Sequence, residues 1–76
     1  MSALPIRNEV RRLRFEHGEM TQAELGERAH VTRQTIAAIE QGKYLPTLEV
    51  GFRIARAFGV NVEQVFQWIE ESAPSR

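Results

Sequence analysis

Two helix-start signals stand close together in this chain, at Thr21 and at Thr32. A threonine in that position accepts a hydrogen bond from a backbone N–H of the turn that follows it. Glu24 completes a capping box with Thr21, and Thr35 occupies the same place after Thr32. The spacing predicts one short helix, a bend across Ala29-His30-Val31, and a second short helix within the stretch that closes at Lys43. Leu25 and Ala29 share a face of the first helix, and Ile36 and Ile39 share a face of the second. The outward face of the second helix carries Arg33, Gln34 and Thr35, then Ala37 and Ala38. It is polar at its beginning and small further along, a surface that can enter a groove.

These residues resemble the helix-turn-helix of the Xre family, the small DNA-binding domains typified by lambda repressor and Cro. The resemblance rests on Thr21-Gln22, Leu25-Gly26, the run Thr32 to Ile36, Ile39-Glu40, Gly42-Lys43 and Pro46. It extends from about Arg7 to Phe66, and the closing string FGVNVEQVFQW is similar to short dimeric repressors of the cytolysin-repressor type. It implies an all-α, five-helix lambda-repressor-like domain, with a small two-stranded sheet formed by the terminal segments. It also implies a transcriptional regulator that binds double-stranded DNA as a homodimer and represses from an inverted-repeat operator. The start of the second helix would then meet base edges in the major groove.

Length and charge limit that reading without opposing it. A chain of 76 residues with 42% hydrophobic residues forms one domain near the lower limit for a self-sufficient core. Domains of this size often gain stability by pairing with a second copy. There is no cysteine, so neither a disulfide framework nor a cysteine-based zinc site can form. No apolar run reaches membrane-spanning length and MSALPIRNEV lacks a signal-peptide pattern, which reads as a soluble, cytoplasmic chain. Ten basic residues balance ten acidic ones, not the overall surplus expected of a nucleic-acid binder. Their distribution is uneven: Arg7, Arg11, Arg12 and Arg14 meet only Glu9 near the start, while Glu63, Glu70 and Glu71 gather at the end. A neutral total predicts modest non-specific affinity, since that component comes from neutralising phosphates.

Along the chain, Ile6, Val10 and Leu13 predict a first helix from Ile6 to His17, closed by Gly18. Relative to the Xre pattern, Glu19 is an insertion and Met20 keeps the apolar role. His30 stands where the family commonly has glycine, and His tolerates a left-handed backbone at some cost. Gly26 replaces the usual alanine; it allows close helix approach but costs about 1 kcal/mol of propensity. Thr47 caps a fourth helix whose apolar band is Leu48, Gly51, Phe52, Ile54, Ala55 and Phe58, with Gly59 as its stop. Asn61 caps a fifth, from Val62 to about Phe66. The run Phe66-Gln67-Trp68-Ile69 fits either a frayed helix end or a strand. Resemblance to the short dimeric repressors favours a strand pairing with Ala3 to Ile6. Residues 1–71 make the domain, and 72–76 a disordered tail.

By that resemblance, Thr32, Arg33, Gln34, Thr35, Ala37 and Ala38 face bases. Gln can bridge adenine N6 and N7, Arg guanine O6 and N7, and methyl groups can touch thymine. Gln22, Gln41, Lys43 and Tyr44 are expected at phosphates, Gln22 beside the positive end of a helix dipole. For Tyr44, packing beneath the loop is the competing reading. Arg14 and Glu40 match a salt bridge that ties the first helix to the third, which would withdraw both charges from DNA. The apolar surplus Val60, Val62, Val65, Phe66, Trp68 and Ile69 is the expected dimer interface. His17 and His30 are isolated from any nucleophile, no phosphate loop or metal spacing occurs, and neither catalysis nor a cofactor is expected. The competing function is an antitoxin or adaptor in which the same scaffold binds a protein partner.

Overall fold

The computed structural model describes residues 5–69. In chain order its elements are β1 (Ile6–Asn8), α1 (Val10–Glu16), α2 (Gln22–Ala29), α3 (Arg33–Glu40), α4 (Leu48–Phe58), α5 (Val62–Val65) and β2 (Phe66–Trp68). The fold is that of a lambda-repressor-like domain: five helices and a small antiparallel sheet. The threonine start signals act as read. Thr21, Thr32 and Thr47 each accept a hydrogen bond from the N–H three residues on, at 3.0, 3.1 and 3.2 Å. Glu24 returns the bond by accepting from the Thr21 N–H at 2.9 Å. The stop signals Gly18 and Gly59 act too, both at positive φ, and Gly42 after α3 is at positive φ as well.

α2 packs on α3 and α4, and α4 on α5, around Val10, Leu13, Met20, Leu25, Ala29, Ile36, Ile39, Ile54, Ala55, Phe58 and Val65. Met20 is buried, while the extra residue Glu19 takes up a left-handed turn at φ 56° outside the core. The inserted residue is absorbed by the loop, leaving the helices intact. His30 is left-handed as well, at φ 67°. Gly26 lies against the turn: a Cβ there would stand 2.7 Å from the Val31 carbonyl oxygen, and the Val31 N–H donates to the Gly26 carbonyl at 2.9 Å. Gly26→Ala is therefore expected to lower the melting temperature. Displacing a packed backbone carbonyl costs about 1–3 kcal/mol and outweighs the roughly 1 kcal/mol gain in helix propensity. Thermal unfolding followed by circular dichroism measures the sign.

Several expectations are corrected. α1 begins at Val10, since Ile6 to Asn8 are committed to the sheet. There the Asn8 carboxamide oxygen accepts from the Val10 N–H at 3.1 Å, a side-chain bond that starts the helix late. β2 pairs with Ile6–Asn8 in the register Ile6 to Trp68, Arg7 to Gln67 and Asn8 to Phe66, further along than Ala3 to Ile6. Ala3 itself and the tail from 72 onward lie outside the described residues. α5 ends at Val65, and Phe66 is already extended. On α4 the buried set is Gly51, Ile54, Ala55 and Phe58, whereas Leu48 is 74% and Phe52 48% exposed. Helical periodicity placed both in one band, but only part of that band has a neighbour to cover it.

Candidate nucleic-acid interface

The front of α3 stands clear of the molecule. Thr32, Arg33 and Gln34 are exposed, Thr35, Ala37 and Ala38 half-buried, and Ile36 and Ile39 form the buried underside. The Thr32 hydroxyl is occupied by the cap and by the Thr35 hydroxyl at 3.0 Å. Among the described residues neither Arg33 nor Gln34 spends its side chain on an internal hydrogen bond, so both keep their full donor capacity.

Beyond its buried Ile36 and Ile39, α3 is tied down by an ion pair. Arg14 on α1 meets Glu40 at the end of α3 through two bonds, Nε to Oε2 at 2.6 Å and Nη2 to Oε1 at 3.2 Å. Its remaining arm donates to the Met20 carbonyl at 2.8 Å. The two side chains are only 11% and 9% exposed, which makes this a fork-to-fork pair shielded from water. Asn8 adds a second tie, donating from its amide to the Ile39 carbonyl at 2.9 Å. Sequence reasoning did not single out Asn8; an Asn before a helix is an ordinary cap signal, and its reach to α3 exists only in three dimensions. α3 closes on Gly42, whose N–H and that of Lys43 donate to the Ile39 and Ala38 carbonyls, both at 3.0 Å.

Gln22, at the first helical position of α2, donates from Nε2 to Glu40 Oε1 at 3.1 Å. The ion pair therefore orients this glutamine as well as α3. An open depression of about 350 Å³ lies between α1, α2 and α3, with Arg11, Gln22 and Gln41 on its walls and Arg14 and Glu40 among its lining. The guanidinium groups of Arg11 and Arg14 each lie 5.7 Å from the Phe15 ring centroid. Phe15 is exposed, so the ring serves as a platform for the two cations and not as core. Arg11 makes no ion pair among the described residues and joins the candidate phosphate-facing groups. Helical spacing could have separated it from Arg12, which has Glu9 three residues before it and Glu16 four after, whereas Arg11 has no acidic residue at those spacings.

The basic start of the chain is less free than its composition suggests. Arg12 is held by Glu9 at 3.1 Å and Glu16 at 3.0 Å. The Glu9 hydrogen bond, then that of Glu16, raises its pKa above the ordinary value. With Arg14 also paired, Arg7 and Arg11 remain outside any ion pair among the described residues. On the far side of α3, Gln41, Lys43 and Tyr44 are exposed. Tyr44 is 46% exposed and is not enclosed by the loop.

Residues 11–65 match the helix-turn-helix family (HTH_3; Helix-turn-helix). The chain belongs to that family. Similar helix-turn-helix proteins include the uncharacterized HTH-type transcriptional regulator YgzD of Bacillus subtilis, 47% identical over 66 residues, covering 87% of this chain and 97% of the relative. An HTH-type transcriptional regulator of Methanothermobacter thermautotrophicus is 48% identical over 69 residues, 90% of this chain and 99% of the relative. One from Methanocaldococcus jannaschii is 44% identical over 61 residues, 80% of this chain and 91% of the relative.

At the other end of this helix-turn-helix domain, the residues expected at a dimer interface divide. Val65 is fully buried in its own core and is removed from that set, because it has no surface to offer a partner. Val60, Val62 and Phe66 are partly buried against the core. Trp68 and Ile69 are 65% and 43% exposed. Among the described residues no helix is long and apolar enough to cross a membrane.

Proposed function

We propose that this helix-turn-helix protein is a sequence-specific regulator of transcription that binds double-stranded DNA as a homodimer and represses from an inverted-repeat operator. One observation carries the reading: Arg33 and Gln34 are exposed and unengaged at the front of a capped helix tied to α1 by a shielded ion pair. In this reading α3 enters the major groove. Arg33 and Gln34 meet base edges, and the Thr32 and Thr35 methyls, Ala37 and Ala38 meet thymine methyls or sugar. Gln22, Gln41, Lys43 and Tyr44, with Arg11, face phosphates and set the register without reading sequence.

Apolar surface that a single copy leaves exposed supports the dimer. Trp68 and Ile69 are exposed, and Trp68 pairs across the sheet with Ile6, which lines an apolar groove of about 200 Å³ together with Leu45, Pro46, Leu48, Val62 and Phe66. A second copy covering this surface about a two-fold axis would set two α3 helices about 34 Å apart, one turn of duplex. Repression is then simple occlusion of polymerase.

Selecting bound duplexes from a random pool tests the reading. A recovered inverted repeat with half-sites one helical turn apart is the expected result, and a pool that stays random would overturn it. Trp68→Glu is expected to shift sedimentation from dimer to monomer with the fold unchanged, because a buried carboxylate without a partner costs several kcal/mol at an interface. Retention of the dimer would remove Trp68 from the interface.

A further inference from the structure

The α2–α4 side of the molecule carries a second charged surface that the DNA reading leaves unused. Arg28 at the end of α2 and Glu49, Phe52, Arg53, Arg56 and Ala57 on α4 line an open bowl of about 520 Å³. Arg53 is tied to Glu49 through Nε and Nη2 at 3.0 and 2.8 Å. Arg28 and Arg56 are exposed and make no ion pair among the described residues. Phe52 shares this lining, 48% exposed, on a helix position that the apolar pattern would have assigned to the core. None of these residues belongs to α3 or to the first turn of α2.

We propose that this bowl is a docking site for an acidic segment of a partner protein, with carboxylates on either side of an apolar side chain. Arginine forks match carboxylates in bidentate geometry, and arginine with a half-exposed aromatic is the composition enriched at protein–protein interfaces. The carboxylates engage Arg28 and Arg56, and the apolar side chain covers the Phe52 ring. A nucleic-acid backbone fits less well. Its closely spaced phosphates would run across the Glu49 carboxylate, and its sugars would leave Phe52 poorly covered. A peptide can space its charges around both.

The probe is a short capped peptide alternating glutamate with leucine, with a lysine-for-glutamate version as control, added to the full isotope-labelled chain. The expected result is amide shift changes confined to Arg28 and to residues 49–57 with the acidic peptide, and none with the basic one. The Arg28→Glu/Arg56→Glu double variant should bind the acidic peptide at least ~10-fold more weakly, since both charges that meet it are reversed. Phe52→Ala should weaken it several-fold. Binding to the duplex recovered by selection should be unchanged in both variants, which separates failure here from failure of the DNA reading. Arg28→Gln/Arg56→Gln serves in place of the charge reversal if that variant does not fold. The proposal is overturned if the acidic peptide leaves residues 49–57 unshifted, if the basic peptide binds equally, or if the double variant loses duplex binding. The last outcome would assign the bowl to nucleic acid. Loss of self-association in the double variant would assign it to a second copy and overturn the proposal equally.

Discussion

Glu40→Ala is expected to destabilise this domain by roughly 3–5 kcal/mol, the cost of leaving a shielded charge without its partner. The stranded group is the Arg14 guanidinium, whose side chain is only 11% exposed and whose one remaining bond would be to the Met20 carbonyl. For a domain of this size each kcal/mol moves the melting temperature by roughly 4–8 °C, so a fall on the order of 20 °C is expected. Total stabilities begin at about 5 kcal/mol, and such a loss brings a small domain close to unfolding at ordinary temperature. Arg14→Met combined with Glu40→Leu should recover most of it, because two apolar side chains leave no orphaned charge. Calorimetry on Arg14→Met, Glu40→Leu and the double variant closes the cycle. A Glu40→Ala domain that melts within a few degrees of the parent would mean that water reaches Arg14 freely. The ion pair would then be an ordinary surface interaction.

The second large effect concerns recognition and not stability. Gln34→Ala removes an exposed side chain with no internal hydrogen bond, so the melting temperature should stay where it is. The ratio of affinities for the selected duplex and a scrambled one should fall by roughly 1–3 kcal/mol, the value of one bidentate base interaction. That is about one to two orders of magnitude in the ratio. Lys43→Ala provides the contrast. Without its ammonium group at a phosphate, both duplexes should bind more weakly by the same factor, and the slope of log affinity against log salt should fall by about 1. Equal discrimination by the Gln34→Ala variant and the parent would take Gln34 out of the base-reading set.

The two variants probe layers that were unequally legible. Thr21, Glu24, Thr32, Thr47 and the stop glycines act within one helical turn of where they stand, so their role follows from neighbours in the chain. The Arg14–Glu40 pair joins residues far apart in sequence and was reached through likeness to the Xre pattern, since no local rule connects them. The bond from Gln22 to Glu40 and the reach of Asn8 to the end of α3 had no sequence signature. Each depends on two elements meeting at a particular angle.

The same division explains the corrections. Sequence alone determined that there would be short helices, where α2, α3 and α4 begin, and that the front of α3 would be polar over an apolar underside. Those properties belong to hydrogen bonds and periodicity within a few residues. Tertiary structure decided which apolar residues stay wet. Leu48 and Phe52 share a helix with Ile54 and Phe58, and Val65 adjoins Phe66, yet Val65 is enclosed while Leu48 and Phe52 face water. It also decided that Ile6 joins a strand opposite Trp68 and not the first helix. Burial is a relation between surfaces that meet only after the chain has folded, and strand register is chosen by the partner strand. No stretch of sequence carries either within itself.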